Sequence, residues 1–393
     1  MKKTHLKIAS ICIIISIVTS VFLVNYFSKK QNSISGPSVV AASETNVVVD
    51  VGVGLYIFNN NQDVISYKDY SELSIPNSVA KLQIKGQYLY LAVSENGSLY
   101  RCHMGTWHCG VLDGFDHVAR RTFGFWVGDE KIHITDTARH KYSEYDLAGN
   151  ILTETRGGAV PLCYPNQLMV FNNRVYIADT NNHRITELVI DGAGKANNLD
   201  TVILAQDIDA YWAKLIQLRS MPSWCLPIGD ELVGDTTDVY FERALDYNSS
   251  KLVVEPASAR RGRIWPTAFA RHNNGDWWVI TGGDNLANGD VLIANNTGDI
   301  QRANEDGPFD PLAIVSFNGD MLVSDNSAME VVIFSEQGNR LGVFGSAKFK
   351  NAMSALRSQR SNFSLAKNIA QKAMWFLLFA ALIVALLDRK LAS

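Results

Sequence analysis

Two similar segments, 43 residues apart, constrain the fold of this chain more than any other feature. The second, Val175 to Ile185, has alternating apolar residues, an Asp-Thr-Asn-Asn turn, His-Arg and the start of another alternating stretch. The first, Lys131 to Tyr142, follows the same order with Asp-Thr and then His-Lys. Both segments indicate β-hairpins, because the polar break interrupts any helical spacing of apolar residues. A strand-rich unit that recurs every 40 to 50 residues or so predicts a β-propeller.

Seven candidate units share the sequence position that Asp179 occupies. The residues at this position are Asn59, Val93, Asp136, Asp179, Asp235, Thr281 and Asp325. The interval from Asn59 to Val93 is only 34 residues, whereas the later intervals are longer. The first unit therefore supplies either a full blade or one closing strand. The predicted fold is all-β, a propeller of six or seven blades over residues 46–345.

The segment Tyr176 to Ile185, Tyr-Ile-Ala-Asp-Thr-Asn-Asn-His-Arg-Ile, resembles the core of the NHL repeat. Proteins of this family form β-propellers, usually with six blades. The resemblance implies that the Asp of each unit and its turn hold the blade together. We therefore expect structural roles for Asp136, Asp179, Asp235 and Asp325.

Two apolar segments flank the predicted propeller. Residues 1–30 carry three early lysines and then an uncharged run from Ile8 to Phe27, which is long enough to span a bilayer. The apolar core of a secretory signal peptide is usually shorter, so we predict an uncleaved signal-anchor helix, with a cleavable signal as the alternative. A polar linker is expected at 31–45. Near the other end, a basic juxtamembrane segment at 346–372 precedes a second predicted transmembrane helix at 373–388.

The two basic regions favour opposite topologies. The N-terminal lysines place the start of the first span in the cytoplasm and the propeller outside, whereas the basic segment at 346–372 by itself prefers the cytoplasm. That segment either attracts acidic lipid headgroups or forms a solvated stalk. Because the first helix usually dominates, we expect an extracytoplasmic propeller, periplasmic or extracellular, with both chain ends inside.

Four of the five cysteines fall in the predicted propeller: Cys102, Cys109, Cys163 and Cys225. Cys102 and Cys109 should face each other across a hairpin, either as a disulfide or, with His103 and His108, as part of a metal site. Cys163 and Cys225 precede neighbouring units and form a second candidate pair, whose proximity the sequence leaves open.

The sequence contains no nucleophile elbow, phosphate loop or zinc-protease motif. The net charge of −3 gives no argument for nucleic acid binding. We therefore predict a membrane-tethered binding or scaffold module for a protein, peptide or glycan, with no catalytic residue. Its expected contacts are exposed side chains that follow the turns, Arg139, His140, His183 and Arg184.

The alternative is a metal-dependent propeller enzyme that uses zinc or calcium, similar to the amidating lyases or lactonase-type hydrolases among related propellers. His140 and His183 favour this alternative because they occupy equivalent positions in adjacent units. In such enzymes several blades contribute ligands around the central channel.

Overall fold

The computed structural model divides into two compact units, Gly36–Lys350 and a second unit that combines Met1–Ser35 with Asn351–Ser393. The residues that it describes are 2–119, 122–156, 162–182, 184–190, 196–203, 265–282, 289–295, 300–303 and 309–392.

The unit Gly36–Lys350 contains six antiparallel sheets, and each consists of four consecutive strands. We call them blades 1 to 6 in chain order. Blades 1 and 2 comprise β1 (Val39–Ala42), β2 (Asn46–Asp50), β3 (Gly54–Asn59), β4 (Val64–Asp69), β5 (Val79–Lys85), β6 (Tyr88–Val93), β7 (Ser98–His103) and β8 (His108–Val111). Blades 3 and 4 comprise β9 (Phe123–Val127), β10 (Lys131–Asp136), β11 (Lys141–Asp146), β12 (Ile151–Thr155), β13 (Pro165–Phe171), β14 (Arg174–Asp179), β15 (Arg184–Ile190) and β16 (Ala196–Ile203). Blades 5 and 6 comprise β17 (Trp265–Arg271), β18 (Trp277–Gly282), β19 (Asp290–Ala294), β20 (Ile300–Arg302), β21 (Pro311–Phe317), β22 (Asp320–Asp325), β23 (Glu330–Phe334) and β24 (Arg340–Val343). Two short helical turns also occur in this unit, α2 (Tyr70–Leu73) and the 3-10 turn Thr180–Asn182.

The blades form a closed ring. The first strand of each blade contacts the first strand of the next, from β1 through β5, β9, β13 and β17 to β21, which contacts β1 again. Blades 6 and 1 meet without sharing a sheet. The Ser324 hydroxyl donates to the Ser38 carbonyl at 3.3 Å, and the Gly345 N–H donates to Gln62 Oε1 at 3.2 Å. The chain is a six-bladed β-propeller, as the sequence predicts.

The first unit is a complete blade, and its repeat position is Asp50 rather than Asn59. Asp50 ends β2 and pairs with Val39, as Asp325 ends β22 and pairs with Pro311. The interval from Asp50 to Val93 is then 43 residues, equal to the next two intervals. The assignment to Asn59 was wrong because β1 is only four residues long and lies in the stretch expected to be a linker. Asp235, the remaining candidate position, lies outside the described residues.

Apolar side chains pack in layers between neighbouring blades. Trp277 and Trp278 illustrate this, because adjacent residues of a strand point to opposite faces of the sheet. Trp277 packs in the layer between blades 4 and 5, and Trp278 in the layer between blades 5 and 6. Each blade is a single sheet, so both of its faces are covered by neighbouring blades.

The expected bridge between Cys102 and Cys109 is present. The two residues are cross-strand partners in β7 and β8, and their sulfurs form a disulfide. The metal alternative for this pair is wrong because both sulfurs are used in the bridge. The neighbouring His103 ring instead accepts the backbone N–H groups of Gly105 and Thr106, each at 3.2 Å. Cys163 is also disulfide-bonded, and Cys225 lies outside the described residues.

The second unit is helical. It contains α1 (Lys2–Asn32) and most of α3 (Ala347–Ala392), and the rings of Phe27 and Phe363 lie 6.4 Å apart. The basic segment and the second apolar segment form this one continuous helix, which is about 69 Å long at the usual rise per residue. Phe22 and Phe376 are 77% and 73% exposed, so these helices are not core helices of a soluble domain. Both are long and apolar enough to cross a membrane.

Candidate functional site

The repeated Asp is a buried acceptor of backbone hydrogen bonds. The Asp136 carboxylate accepts the N–H groups of Ala138 and Arg139, both at 3.0 Å. Asp325 accepts the N–H of Ser327 at 2.8 Å in the same way, and also that of Asp310 at 3.1 Å. The second bond reaches the residue just before the inner strand β21. One carboxylate thus fixes the turn after the second strand and the entry to the first strand.

Asp179 makes a related but charged version of this arrangement. Its Oδ1 accepts the N–H of Cys163 at 2.6 Å, and its Oδ2 lies 2.8 Å from both Nε and one terminal nitrogen of Arg184. Both side chains of the ion pair are fully buried. Buried charges of this kind require such pairing, since desolvation is costly. Arg184 therefore lies in the interior of blade 4, paired with Asp179, and is not the exposed ligand contact that the sequence suggests.

The Thr that follows Asp in two of the repeats connects neighbouring blades. The Thr137 hydroxyl of blade 3 donates to the Pro165 carbonyl of blade 4 at 2.9 Å. The Thr180 hydroxyl of blade 4 donates to the Pro266 carbonyl of blade 5 at 2.6 Å. Sequence reasoning missed this role, although the repeated Asp-Thr pair was its signal.

His140 is buried as well, which contradicts its expected exposure. Its backbone has a φ of 54°, its Nδ1 accepts the N–H of Tyr164 at 2.9 Å, and the two rings are 4.8 Å apart. The left-handed backbone turns the ring towards blade 4. Arg139 remains about one third exposed, with its guanidinium 3.3 Å from Asp136 Oδ2. His183 lies outside the described residues.

The structure places a different candidate site at the centre of the ring. The six inner strands enclose a cavity of about 520 Å³, which we call the central cavity. Its walls are mostly apolar and come from all six blades. The charged residues that line it are Lys81, Lys85, Asp129 and Arg271. A cavity of this size with a few polar groups is typical of ligand sites.

Two glutamines complete the walls between inner strands. Gln83 of β5 accepts the N–H of Val127 at 2.8 Å and donates to its carbonyl at 3.2 Å. Gln167 of β13 binds the N–H and carbonyl of Phe269 in the same way, at 3.0 and 3.1 Å. Because an inner strand is a sheet edge, its backbone groups need partners. These side chains supply them and rigidify the wall.

The charged residues of the central cavity differ in their partners. Lys85 lies 2.8 Å from Asp129, and its hydrogen bond and charge lower the pKa of the Asp129 carboxyl. Lys81 is half-buried on the same strand and has no carboxylate partner among the described residues. Burial lowers the pKa of Lys81 to about 8.

Arg271 ends the inner strand of blade 5 and is held by aromatic rings. Its guanidinium carbon is 4.2 Å from the centre of the Phe171 ring and 5.0 Å from that of Trp277. Its Nε is buried and has no hydrogen-bond partner among the described residues. The stack fixes the planar guanidinium while leaving donor capacity unused.

A second depression, of about 450 Å³, involves blades 1 and 2 and includes His103 and Trp107. It is more open than the central cavity, and its lining residues include no Asp, Glu, Lys or Arg. In the described part of the chain, no three His, Cys, Asp or Glu side chains are grouped as metal ligands would be.

The buried ion pair of blade 4 leads to a prediction about stability. Asp179→Ala should lower the free energy of unfolding by about 3–5 kcal/mol, because it leaves the Arg184 guanidinium buried without its carboxylate. The matched variant Arg139→Ala removes a partly exposed partner of Asp136 and should cost less than about 1 kcal/mol. Denaturation of the full chain in one detergent compares them. Equal losses would contradict the assignment of Arg184 to the blade interior.

Lys81 predicts a pH dependence of stability. Its pKa is about 8 in the folded protein and 10.5 ordinarily, so between these values the unfolded chain binds more protons than the folded chain. The stability of the wild type relative to Lys81→Met should therefore rise from pH 8 to pH 10.5. Lys85, Asp129 and Arg271 line the same cavity in both proteins, and their direct contributions cancel. Thermal melts across this range test the prediction, which a constant difference would refute.

Comparison with known proteins agrees with the propeller architecture. The NHL repeat family model matches residues 162–188. No curated protein sequence matches the chain. Among solved structures, a catalytically inactive virginiamycin B lyase from Staphylococcus aureus with quinupristin has a TM-score of 0.46 and 13% identity, over 80% of this chain and 85% of that one.

Two further structures are similar at the same level. The extracellular domain of a protein described as a one component system of B. thetaiotaomicron has a TM-score of 0.46 and 10% identity, over 80% of this chain and 34% of that one. A nidogen/laminin complex has a TM-score of 0.45 and 10% identity, over 80% and 94% of the two chains. The fold assignment rests on the six sheets, because these likenesses are low. The chain is a six-bladed β-propeller with an NHL repeat at residues 162–188.

Proposed function

We propose that this chain is a membrane-tethered binding module whose propeller lies outside the cytoplasm and takes its ligand into the central cavity. The ligand is a segment of a protein, a peptide or a glycan presented at the loop face. The central cavity carries the proposal, since its volume of about 520 Å³ lies within the range of known ligand sites. Such a volume accommodates a few residues or sugar units rather than a folded domain.

The structure of the cavity wall favours ligand binding over a channel that is filled by packed side chains. Gln83 and Gln167 tie neighbouring inner strands together, so the wall is pre-formed. Pre-formed sites avoid much of the ordering cost of association. The four sequence-predicted contacts are not needed for this proposal, because two of them are buried in the blades.

The two helices support the membrane tether. The helical ranges Ile11–Asn32 and Ala347–Leu386 each contain an apolar window that is long enough to cross the hydrocarbon core of a bilayer. Their large side chains are exposed, which suits contact with lipid rather than with water.

The location of the propeller outside the cytoplasm has two supports. Lys2, Lys3 and Lys7 precede the first span, which favours a cytoplasmic N-terminus. The Cys102–Cys109 bridge and the disulfide-bonded Cys163 suit an oxidising compartment, because cytosolic reductants keep thiols reduced.

Reporter fusions test the topology. A reporter that is active only outside the cytoplasm should be active when fused after Gly345 and inactive when fused after Ser393. A reporter active only in the cytoplasm, fused at the same two positions, should give the opposite pattern. If the first reporter is active only after Ser393, the basic part of α3 sets the topology and the proposed side is wrong.

Blocking the central cavity tests the binding site. We expect Ala42→Trp to abolish binding of any peptide or glycan that the full chain, in lipid nanodiscs, selects from arrays. Ala42 is half-buried at the end of β1 and lines the cavity, so an indole there would take up part of the space that a ligand needs. Leu152→Trp is the matched control, since Leu152 is 49% exposed on the outermost strand of blade 3. Binding that survives Ala42→Trp would place the site elsewhere.

A further inference from the structure

The central cavity contains more positive than negative charge among its described lining residues. Lys81, Lys85 and Arg271 are cations, and Asp129 is the one carboxylate in the lining. Lys85 and Asp129 are paired at 2.8 Å, so they neutralise each other. Two cations remain without an ion-pair partner among the described residues, and they give this largely apolar space a net positive charge.

Lys81 has no counter-charge among the described residues. On β5, alternation puts Lys81, Gln83 and Lys85 on one face, which is directed towards blade 3 because Gln83 and Lys85 contact Val127 and Asp129 there. Gln83 and Lys85 have partners on that blade, whereas the ammonium of Lys81 has none among the described residues. A half-buried ammonium with no carboxylate nearby is costly, and an anion in the cavity would remove that cost.

Arg271 offers a second, more rigid donor. The Phe171 and Trp277 rings hold its guanidinium, and its buried Nε lacks a hydrogen-bond partner among the described residues. The planar fork of a guanidinium matches the oxygens of a carboxylate or a phosphate. Restricting its motion beforehand reduces the entropy lost when it binds such a group.

The two cations stand on opposite sides of the ring. Lys81 belongs to blade 2 and Arg271 to blade 5. These two blades are three steps apart in either direction around the ring. An anion in the cavity therefore experiences attraction from both sides. The intervening wall is apolar, which favours an anion attached to an apolar body over a small hydrated ion.

We propose that the central cavity binds a ligand with a carboxylate or phosphate group on an apolar body, and that Lys81 and Arg271 supply the positive charge that favours the oxyanion. This inference rests on the proposed function, because it specifies the chemistry of the same site.

Three probes of similar shape test the charge requirement. Benzoate carries the carboxylate, phenyl phosphate carries the phosphate, and benzamide is the neutral counterpart of benzoate. Their binding to the full chain in nanodiscs at neutral pH is measured by calorimetry, with empty nanodiscs subtracted. We expect at least one anion to bind about tenfold or more tightly than benzamide, as a charge-assisted hydrogen bond provides. The tighter of the two anions identifies the oxyanion.

Variants assign the preference to the two cations. Lys81→Met and Arg271→Gln should each reduce the anion preference about tenfold and leave benzamide binding unchanged. Lys350→Met removes an exposed lysine outside the cavity and should change neither value. Lys81→Gln provides a second variant if Lys81→Met fails to fold.

The outcomes separate this inference from the proposed function. If wild-type protein binds benzoate, phenyl phosphate and benzamide equally, or if the preference survives both cation variants, the oxyanion site is overturned. Ala42→Trp then shows whether the cavity still binds ligands. Benzamide binding that disappears in Ala42→Trp would retain the cavity as a neutral site, whereas binding unaffected by Ala42→Trp would overturn both proposals.

Discussion

A buried carboxylate at the end of the second strand is the interaction on which four of the six blades depend. In blade 6, the Asp325 carboxylate accepts N–H groups from the turn after β22 and from the residue before β21. In blade 4, the Asp179 carboxylate accepts the N–H of Cys163 and pairs with the fully buried Arg184. Blade 1 uses Asp50, whose carboxylate accepts the hydroxyls of Ser38 and Tyr70. Blade 2 has Val93 at this position, and there Ser78 accepts the N–H of Glu95 through its hydroxyl, at 2.9 Å. Without such a partner, the backbone N–H groups at the strand entry would be buried without an acceptor, which lowers the free energy of unfolding.

The fold could be predicted from the sequence because the pattern that specifies it is local. The alternation around Asp136 and Asp179 defines strands and turns within about ten residues, and its recurrence implies a ring. The burial of His140 could not be predicted, because it depends on a left-handed φ that turns the ring towards Tyr164. The four-residue strand β1 was missed since so short an apolar run resembles a linker.

The central cavity was missed for a different reason. The segment Val79 to Lys85 alternates like any half-exposed strand, with Lys81 on its polar face. Only the closure of six blades into a ring, which brings together residues nearly 300 positions apart, places this strand in the wall of an enclosed space. The same closure half-buries the ammonium of Lys81, which has no carboxylate partner among the described residues, and so makes its charge costly. The structural carboxylates are therefore satisfied within the protein, whereas the two cavity cations have no ion-pair partner among the described residues.

Ligand binding in the central cavity is tested most directly by fluorine NMR at Trp126, which lines that cavity. The full chain would carry 5-fluorotryptophan in nanodiscs, with Trp126→Phe assigning its resonance and Trp375 of α3 serving as an internal reference. Saturating benzoate should shift the Trp126 resonance and leave that of Trp375 unchanged. A Trp126 resonance that stays fixed while calorimetry shows benzoate bound would contradict binding in the central cavity.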